Sequence, residues 1–165
     1  MFVIQKHAAS HLHYDFRLEM QGVLRSWAVP KGPPYLKGER RLAMLVEDHP
    51  MDYAQFEGTI PKGQYGGGTV MVWDTGTYET FGGNPAQEFY QGKLHLKLTG
   101  KKLKGEWTLV RSSKTDERGK EPWFLIKTGS DTRPISARRD DRSAVTDRSM
   151  QEIAEQNTAQ WSSHR

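Results

Sequence analysis

Short runs in which every second side chain is apolar recur along this chain, and residues with turn chemistry separate them. Between residues 93 and 99, Leu94, Leu96 and Leu98 alternate with Lys93, His95 and Lys97. Successive strand side chains point to opposite faces, so this is the pattern of a half-exposed β-strand. Extended runs also cover residues 2–6, 13–20, 23–29, 41–48, 69–74, 76–81, 103–111 and 123–128. Many short strands at hairpin spacing predict a mainly β fold, an antiparallel barrel or sandwich. Gln21-Gly22 joins 13–20 to 23–29, and Gly22 supplies the φ > 0 that a tight hairpin turn requires. Asp74-Thr75-Gly76 reads as a second such turn, residues 53–57 as a short extended piece, and Pro30-Lys31-Gly32-Pro33-Pro34 as a loop. One short helix is expected over 84–90, with Asn84 as N-cap and Pro85 at its first position. Trp27, Trp73, Trp107 and Trp123 fall inside strands and are expected in the core.

The 165 residues suit one domain with a sizeable core. Residues 1–129 carry the strand pattern and are expected to form the barrel. Residues 130–165 are rich in charged and small polar side chains and read as a polar tail. A short helix is expected there over 147–160, with Ser149 as N-cap and Glu152 at the capping-box spacing. Cysteine is absent, which excludes disulfides, thiolate catalysis and Cys-ligated zinc. A net charge of +4 is compatible with a polyanionic partner. No apolar run approaches the roughly 20 residues that cross a bilayer. The N-terminus lacks a basic region followed by an apolar stretch, so no signal peptide is expected. These features predict a soluble cytoplasmic protein without a membrane partner; a monomer is the default expectation, which no sequence feature decides.

The chemistry concentrates in HAASHLHYDFR, residues 7–17. On a strand, His13, Asp15 and Arg17 share one face, while Tyr14, Phe16 and Leu18 share the other. His7, His13 and Asp15 are candidate metal ligands: two imidazoles and a carboxylate suit Mn, Zn or Fe(II). The alternative is a set of surface groups bonded to solvent. His11 shares the parity of His13 but sits in the expected loop, where it would be exposed. In 41–49, Arg41, Ala43, Leu45, Glu47 and His49 fall on one parity and Leu42, Met44 and Val46 on the other. This predicts a second charged wall over an apolar back, and a barrel with a polar interior explains both walls. Arginines and a histidine beside a metal suit phosphoryl chemistry, because guanidinium binds phosphate oxygens in a fork. A structural ion pair of Glu47 with Arg17 or Arg41 is the plainer alternative. The glycine-rich GTIPKGQYGGG, residues 58–68, lacks the Lys-Ser ending of a P-loop and reads as a demanding turn beside the site.

The segments FVIQKHAASHLHYDFRLEMQGVLRSWAVPKGP and RLAMLVEDHPMDYAQFEGTIPKGQYGGGTVMVWDTGTY resemble the 3′-phosphoesterase module of bacterial DNA ligase D. More weakly, so do GEWTLVR and PWFLIKT. The pair HxxxxxHxDxR and EDHPxDY carries the resemblance, which covers about residues 2 to 128. It implies a compact antiparallel β-barrel with few short helices, whose polar interior holds a divalent metal, usually Mn²⁺, with Zn²⁺ or Co²⁺ as other candidates. It implies a 3′-end-processing enzyme of non-homologous end joining that removes a 3′-terminal ribonucleoside and then the remaining 3′-phosphate, leaving a ligatable 3′-hydroxyl. The implied partners are DNA or primer-template 3′ ends, including DNA/RNA hybrid junctions, and an ATP-dependent DNA ligase; the implied location is the cytoplasm, at the nucleoid when on DNA. Carried over by motif, His7, His13 and Asp15 are the metal ligands, which selects His7 over His11. Arg17, Arg41 and His49 become phosphate-binding or transition-state groups, with Glu47 and Tyr53 in support. Gln5 and Lys31 also match positions near the site. Two rivals stand beside this reading: a non-catalytic module that binds nucleic-acid ends, and a two-His-one-carboxylate metalloenzyme acting on a small anion.

Overall fold

The strands pair in a circle. A computed structural model describes residues 1–64, 67–113 and 120–162. Its strands are β1 (Phe2–Ala8), β2 (Leu12–Met20), β3 (Val23–Val29), β4 (Arg40–Pro50), β5 (Gly58–Ile60), β6 (Gly68–Thr80), β7 (Lys93–Gly100), β8 (Lys104–Arg111) and β9 (Pro122–Thr128). Antiparallel pairing runs β1-β2-β3-β4-β9-β8-β7-β6, and β6 pairs back onto β1. This closes the expected barrel and removes the free edges of an open sheet. The short strand β5 is added along the first residues of β6. Three helices complete the described residues: α1 (Pro85–Gln91), α2 (Ala137–Asp140) and α3 (Met150–Gln156). Among the described residues, no helix is long and apolar enough to cross a membrane.

Two compartments use opposite faces of the same strands. Phe2, Ile4, Phe16 and Leu18 fill the barrel with Trp27, Trp73, Trp107 and Trp123, each 1% exposed or less. Every barrel strand contributes to this cluster, as the aromatic content of the strands predicts. On the other face, β1 and β2 pair Val3 with Arg17, Gln5 with Asp15 and His7 with His13. A flap covers that face. It consists of a 3₁₀ turn at Met51–Gln55, strand β5 and residues 157–162. Val3, Leu24, Tyr53, Phe56, Ile60, Val70 and Val72 form the apolar cluster beneath it. The polar interior expected of the barrel takes the form of this second compartment, enclosed between wall and flap.

Several local expectations are corrected. Residues 53–57 do not start extended: Tyr53 and Ala54 lie in the 3₁₀ turn, which brings both under cover and closes with Phe56 N–H on the Tyr53 carbonyl. The loop expected over 58–68 begins as β5, and its Tyr65 and Gly66 lie outside the described residues. Asp74-Thr75-Gly76 is no turn, for β6 runs straight through it. Asp74 is fully buried, and its carboxylate accepts hydrogen bonds from the backbone N–H groups of Lys101, Lys102 and Leu103 at 2.8–3.0 Å. It therefore stabilises the neighbouring β7–β8 turn rather than making one of its own.

Other signals hold. Gln21 and Gly22 both take positive φ, 54° and 79°, so the first hairpin has its two-residue turn. The Asn84 side chain caps α1, with Pro85 in its first turn. The Ser149–Glu152 capping box starts α3, but the helix stops at Gln156 because Asn157 turns left-handed at φ 46°.

Residues 130–162 are strapped across the barrel. Asp140 accepts from Lys6 Nζ at 2.9 Å, Tyr14 Oη at 2.7 Å and Trp73 Nε1 at 3.1 Å. Ile153 is fully buried in the barrel cluster.

Two stability predictions follow from these anchors. Asp74→Ala strands buried N–H donors and is expected to lower the unfolding free energy by about 3 kcal/mol in a urea melt. For Asp140, burial alone would raise the carboxyl, but hydrogen bonds from Lys6 and Tyr14, the Lys6 charge and the Trp73 bond outweigh it, and the pKa falls below 3.8. A carboxyl depressed on folding adds stability above its unfolded value and loses it as pH falls through the folded value. Asp140→Asn should therefore flatten the loss of stability below pH 3.8 in melts taken across the acid range.

Candidate active site

Strand alternation builds the first wall of the site. His7 stands opposite His13 in the β1–β2 ladder, and Asp15 follows two residues on, on the same face. His7 Nδ1 lies 3.6 Å from Asp15 Oδ2, and His13 Nε2 lies 3.2 Å from Asp15 Oδ1. One donor atom from each of the three residues falls within 4.8 Å of the others. His7 Nε2 is buried without a hydrogen-bond partner. An anionic carboxylate and two imidazoles, one with an orphaned ring nitrogen, form a donor set that can hold a divalent metal. His11, by contrast, is exposed, and only its backbone carbonyl approaches His13, at 3.1 Å.

Arg17 sits next in line and is 2% exposed. Its Nε donates to Gln5 Oε1 at 2.6 Å and its Nη1 to Ser26 Oγ at 2.8 Å. Nη2 is 3.4 Å from Asp15 Oδ2, and the guanidinium lies over the Tyr53 ring at 5.0 Å. Gln5 itself is tied to the flap, donating to the Tyr53 and Phe56 carbonyls at 2.8 and 3.1 Å. His49 Nδ1 lies 3.1 Å from Arg17 Nη1. Arginine only donates and a carbonyl only accepts, so this contact and the equally close Glu47 carbonyl call for opposite tautomers of the ring.

Electrostatics sets the charge states. Burial would raise the Asp15 carboxyl, but hydrogen bonds from His13 and His7 and the Arg17 charge hold it well below the usual carboxylate range. Burial would lower the His13 imidazole, yet its bond to Asp15 and that carboxylate's charge raise it instead. For His49, burial and the Arg17 charge act together and push the pKa down to about 4. His49 is therefore neutral at pH 7.

The second expected wall forms differently. Between β3 and β4, Leu24 pairs with His49 but Ser26 pairs with Val46. One extra residue on β4 makes a bulge, which shifts the strand's parity. Upstream of it, Ala43 and Leu45 pack into the barrel core, not onto a charged face. Downstream, His49 turns into the cleft together with Val46. Leu42 is exposed rather than forming an apolar back. Arg41 keeps the upstream parity and is not brought to the cluster. Its guanidinium donates to the Lys31 carbonyl at 2.6 Å and pairs with Glu39 at 3.3 Å, beside a smaller cavity of about 420 Å³. Glu47 lies in the bulge, and its carbonyl is 3.1 Å from His49 Nδ1.

The resulting cleft has a volume of about 670 Å³. The barrel wall contributes the His/Asp group, Arg17 and His49; the flap contributes Tyr53, Ile60 and Trp161, and Lys62 follows just after β5. Ser26 and Trp161 were missed in the sequence. A two-residue turn at 21–22 fixes Ser26 opposite Arg17, so that partner was derivable. Nothing in the sequence near Trp161 announces its place.

Residues 5–111, which hold this whole donor wall, match the family described as the DNA Ligase D 3'-phosphoesterase domain. The chain belongs to this family. The multifunctional non-homologous end joining protein LigD of Pseudomonas aeruginosa is 53% identical over 127 residues, covering 76% of this chain and 15% of that protein. LigD of Mycobacterium bovis is 48% identical over 114 residues, 68% of this chain and 14% of the relative. The Mycolicibacterium smegmatis protein is 46% identical over 116 residues, 67% of this chain and 15% of its own length. The chain thus corresponds to a small part of these multifunctional relatives, the part this phosphoesterase family describes.

Within this phosphoesterase domain, removing the Arg17 charge leaves the buried Asp15 carboxylate with its histidine partners alone. Arg17→Met is expected to cost about 3–5 kcal/mol of stability, measured by chemical denaturation without added metal.

Proposed function

We propose that this domain is a metal-dependent phosphoesterase that processes DNA 3′ ends. As a diesterase it removes a 3′-terminal ribonucleoside; as a monoesterase it then hydrolyses the remaining 3′-phosphate to a hydroxyl that an ATP-dependent DNA ligase can join. The observation that carries this reading is one cleft in which a two-His-one-Asp donor group adjoins a buried arginine and a neutral histidine. Membership of a phosphoesterase family supports it, and the relatives' end-joining names support the DNA context. His7, His13 and Asp15 would hold the metal, for which Mn²⁺ is proposed and Zn²⁺ or Co²⁺ are alternatives. When bound, such an ion polarises phosphoryl oxygens and lowers the pKa of water.

The chain's own groups supply the rest. Arg17 offsets the charge of the phosphoryl oxygens, and its bonds to Gln5 and Ser26 fix its plane in advance. Tyr53 supports that plane from beneath. His49, neutral at pH 7, would hydrogen-bond a phosphoryl oxygen beside Arg17 rather than transfer a proton to it. Burial adds to each of these effects, since charges interact more strongly away from water. Arg41 stands with Lys31 and Arg40 around the second cavity, a basic group suited to phosphates farther along the strand.

The test uses two primer-templates, one ending in a single 3′-ribonucleotide and one in a 3′-phosphate, with and without Mn²⁺. Both 3′ ends should be converted only with metal. Asp15→Asn should abolish conversion in protein shown to be folded by circular dichroism, and His49→Ala should lower kcat by roughly 10²–10³-fold through loss of a hydrogen bond to the transition state. No metal-dependent change at either end would refute the proposal. Retained end binding with no conversion would favour the non-catalytic module, and turnover of small phosphate esters alone would favour the small-anion enzyme.

A further inference from the structure

We infer that Trp161 is the base-contacting residue of the cleft, stacking its indole on the nucleobase of the 3′-terminal nucleotide. This rests on the phosphoesterase reading of the same cleft. The barrel wall presents a carboxylate, imidazoles and a guanidinium, all suited to a phosphate and none shaped for a base. Tyr53 and Trp161 bring the remaining aromatic rings among the described residues of the cleft. Tyr53 is 3% exposed, and its ring is already met by Arg17, His49 and Phe56 at 5.0, 4.9 and 5.5 Å. It has no face left for a base. Trp161 is only half-buried. It meets Tyr53 edge-on at 4.8 Å and Phe56 at 5.7 Å, and the rest of the indole borders the cleft.

The mounting of Trp161 is specific. Thr59 N–H donates to the Ala159 carbonyl and Trp161 N–H to the Thr59 carbonyl, both at 3.0 Å. Thr59 and Gln160 form a parallel bridge, so the chain end lies alongside β5. Gly58 permits this approach, since a Cβ there would stand 2.2 Å from the Ala159 oxygen. The backbone thus fixes the indole before a substrate arrives, which reduces the ordering cost of stacking. Lys62 also borders the cleft, exposed and without an ion pair or hydrogen bond among the described residues. An aromatic platform with a cation beside it is the combination that holds single-stranded nucleic acid without reading sequence. Trp161 lies outside residues 5–111, the stretch matched to the family.

The full chain is compared with Trp161→Ala and Trp161→Phe on primer-templates whose 3′-terminal ribonucleotide carries a base or is abasic. Affinity is read by fluorescence anisotropy without metal, and kcat and KM with Mn²⁺. Trp161→Ala should weaken binding and raise KM by roughly 5- to 150-fold for the base-bearing end. It should leave kcat and the abasic end unchanged, and Trp161→Phe should recover most of the loss. Equal weakening of both ends, or no effect on the base-bearing end while the wild type converts it, overturns the platform alone. A wild type that binds base-bearing ends better than abasic ones, loses this with Trp161→Ala, and converts neither overturns the phosphoesterase reading and leaves the platform standing.

Discussion

A guanidinium that is 2% exposed must find around it everything that water would have given. Arg17 finds it in five directions: Gln5, Asp15, Ser26, His49 and the ring of Tyr53. These come from β1, β2, β3, β4 and the 3₁₀ turn. Satisfying one cation therefore fixes four strands and the flap relative to one another. Asp15 is at once the charge that Arg17 requires and the carboxylate of the donor group. The same contact, after the hydrogen bonds from His13 and His7, helps keep the donor group anionic. Losing either partner would take the opposite full charge away from a buried ion, so stability and chemistry both draw on the same pair.

The wall can serve two compartments because strict alternation is broken at chosen points. Without the bulge on β4, His49 would share the face of Leu45 and point into an apolar barrel. With it, Ala43 and Leu45 remain in the barrel core and His49 reaches Arg17. A second irregularity stands where β1 meets β6. Ile4 pairs with Asp74 and Gln5 with Val72, so Trp73 has no partner opposite. Trp73 packs in the barrel with Nε1 on Asp140, while Val72 faces the flap cluster. Each bulge sets which side chains enter which compartment.

This explains which parts were legible in the sequence. Alternation and turn chemistry are local, so the strands, the hairpin at Gln21-Gly22, the capped α1 and the start of α3 could be read directly. The shared face of His13, Asp15 and Arg17 followed from one uninterrupted strand. The bulge on β4 leaves no local mark, and extrapolating parity through it wrongly placed Arg41 with His49. Asp74 misled for a related reason. Its carboxylate was read as turn chemistry for its own neighbours, but it serves backbone groups at 101–103. Local polarity gives no indication of whether its partner is near or far in the chain.

The same reasoning accounts for residues 130–162, whose composition suggests solvated chain. Their charges are matched by partners that lie far away in sequence. Asp140 answers Lys6, Tyr14 and Trp73; Arg148 reaches Glu57, which is 6% exposed and also accepts from Thr146. Ile153 adds the apolar anchor. Ordering each residue's backbone costs about 1–2 kcal/mol, so a strap of this length holds only because such anchors recur along it. Beyond Asn157 the anchors are the bridge to Thr59 and the aromatic packing of Trp161. The donor wall, by contrast, belongs to strands paired on both sides within a closed barrel. The two sides of the cleft therefore differ in local stability: the side carrying the His/Asp group opens only with the barrel, while the Trp161 side can open at lower cost.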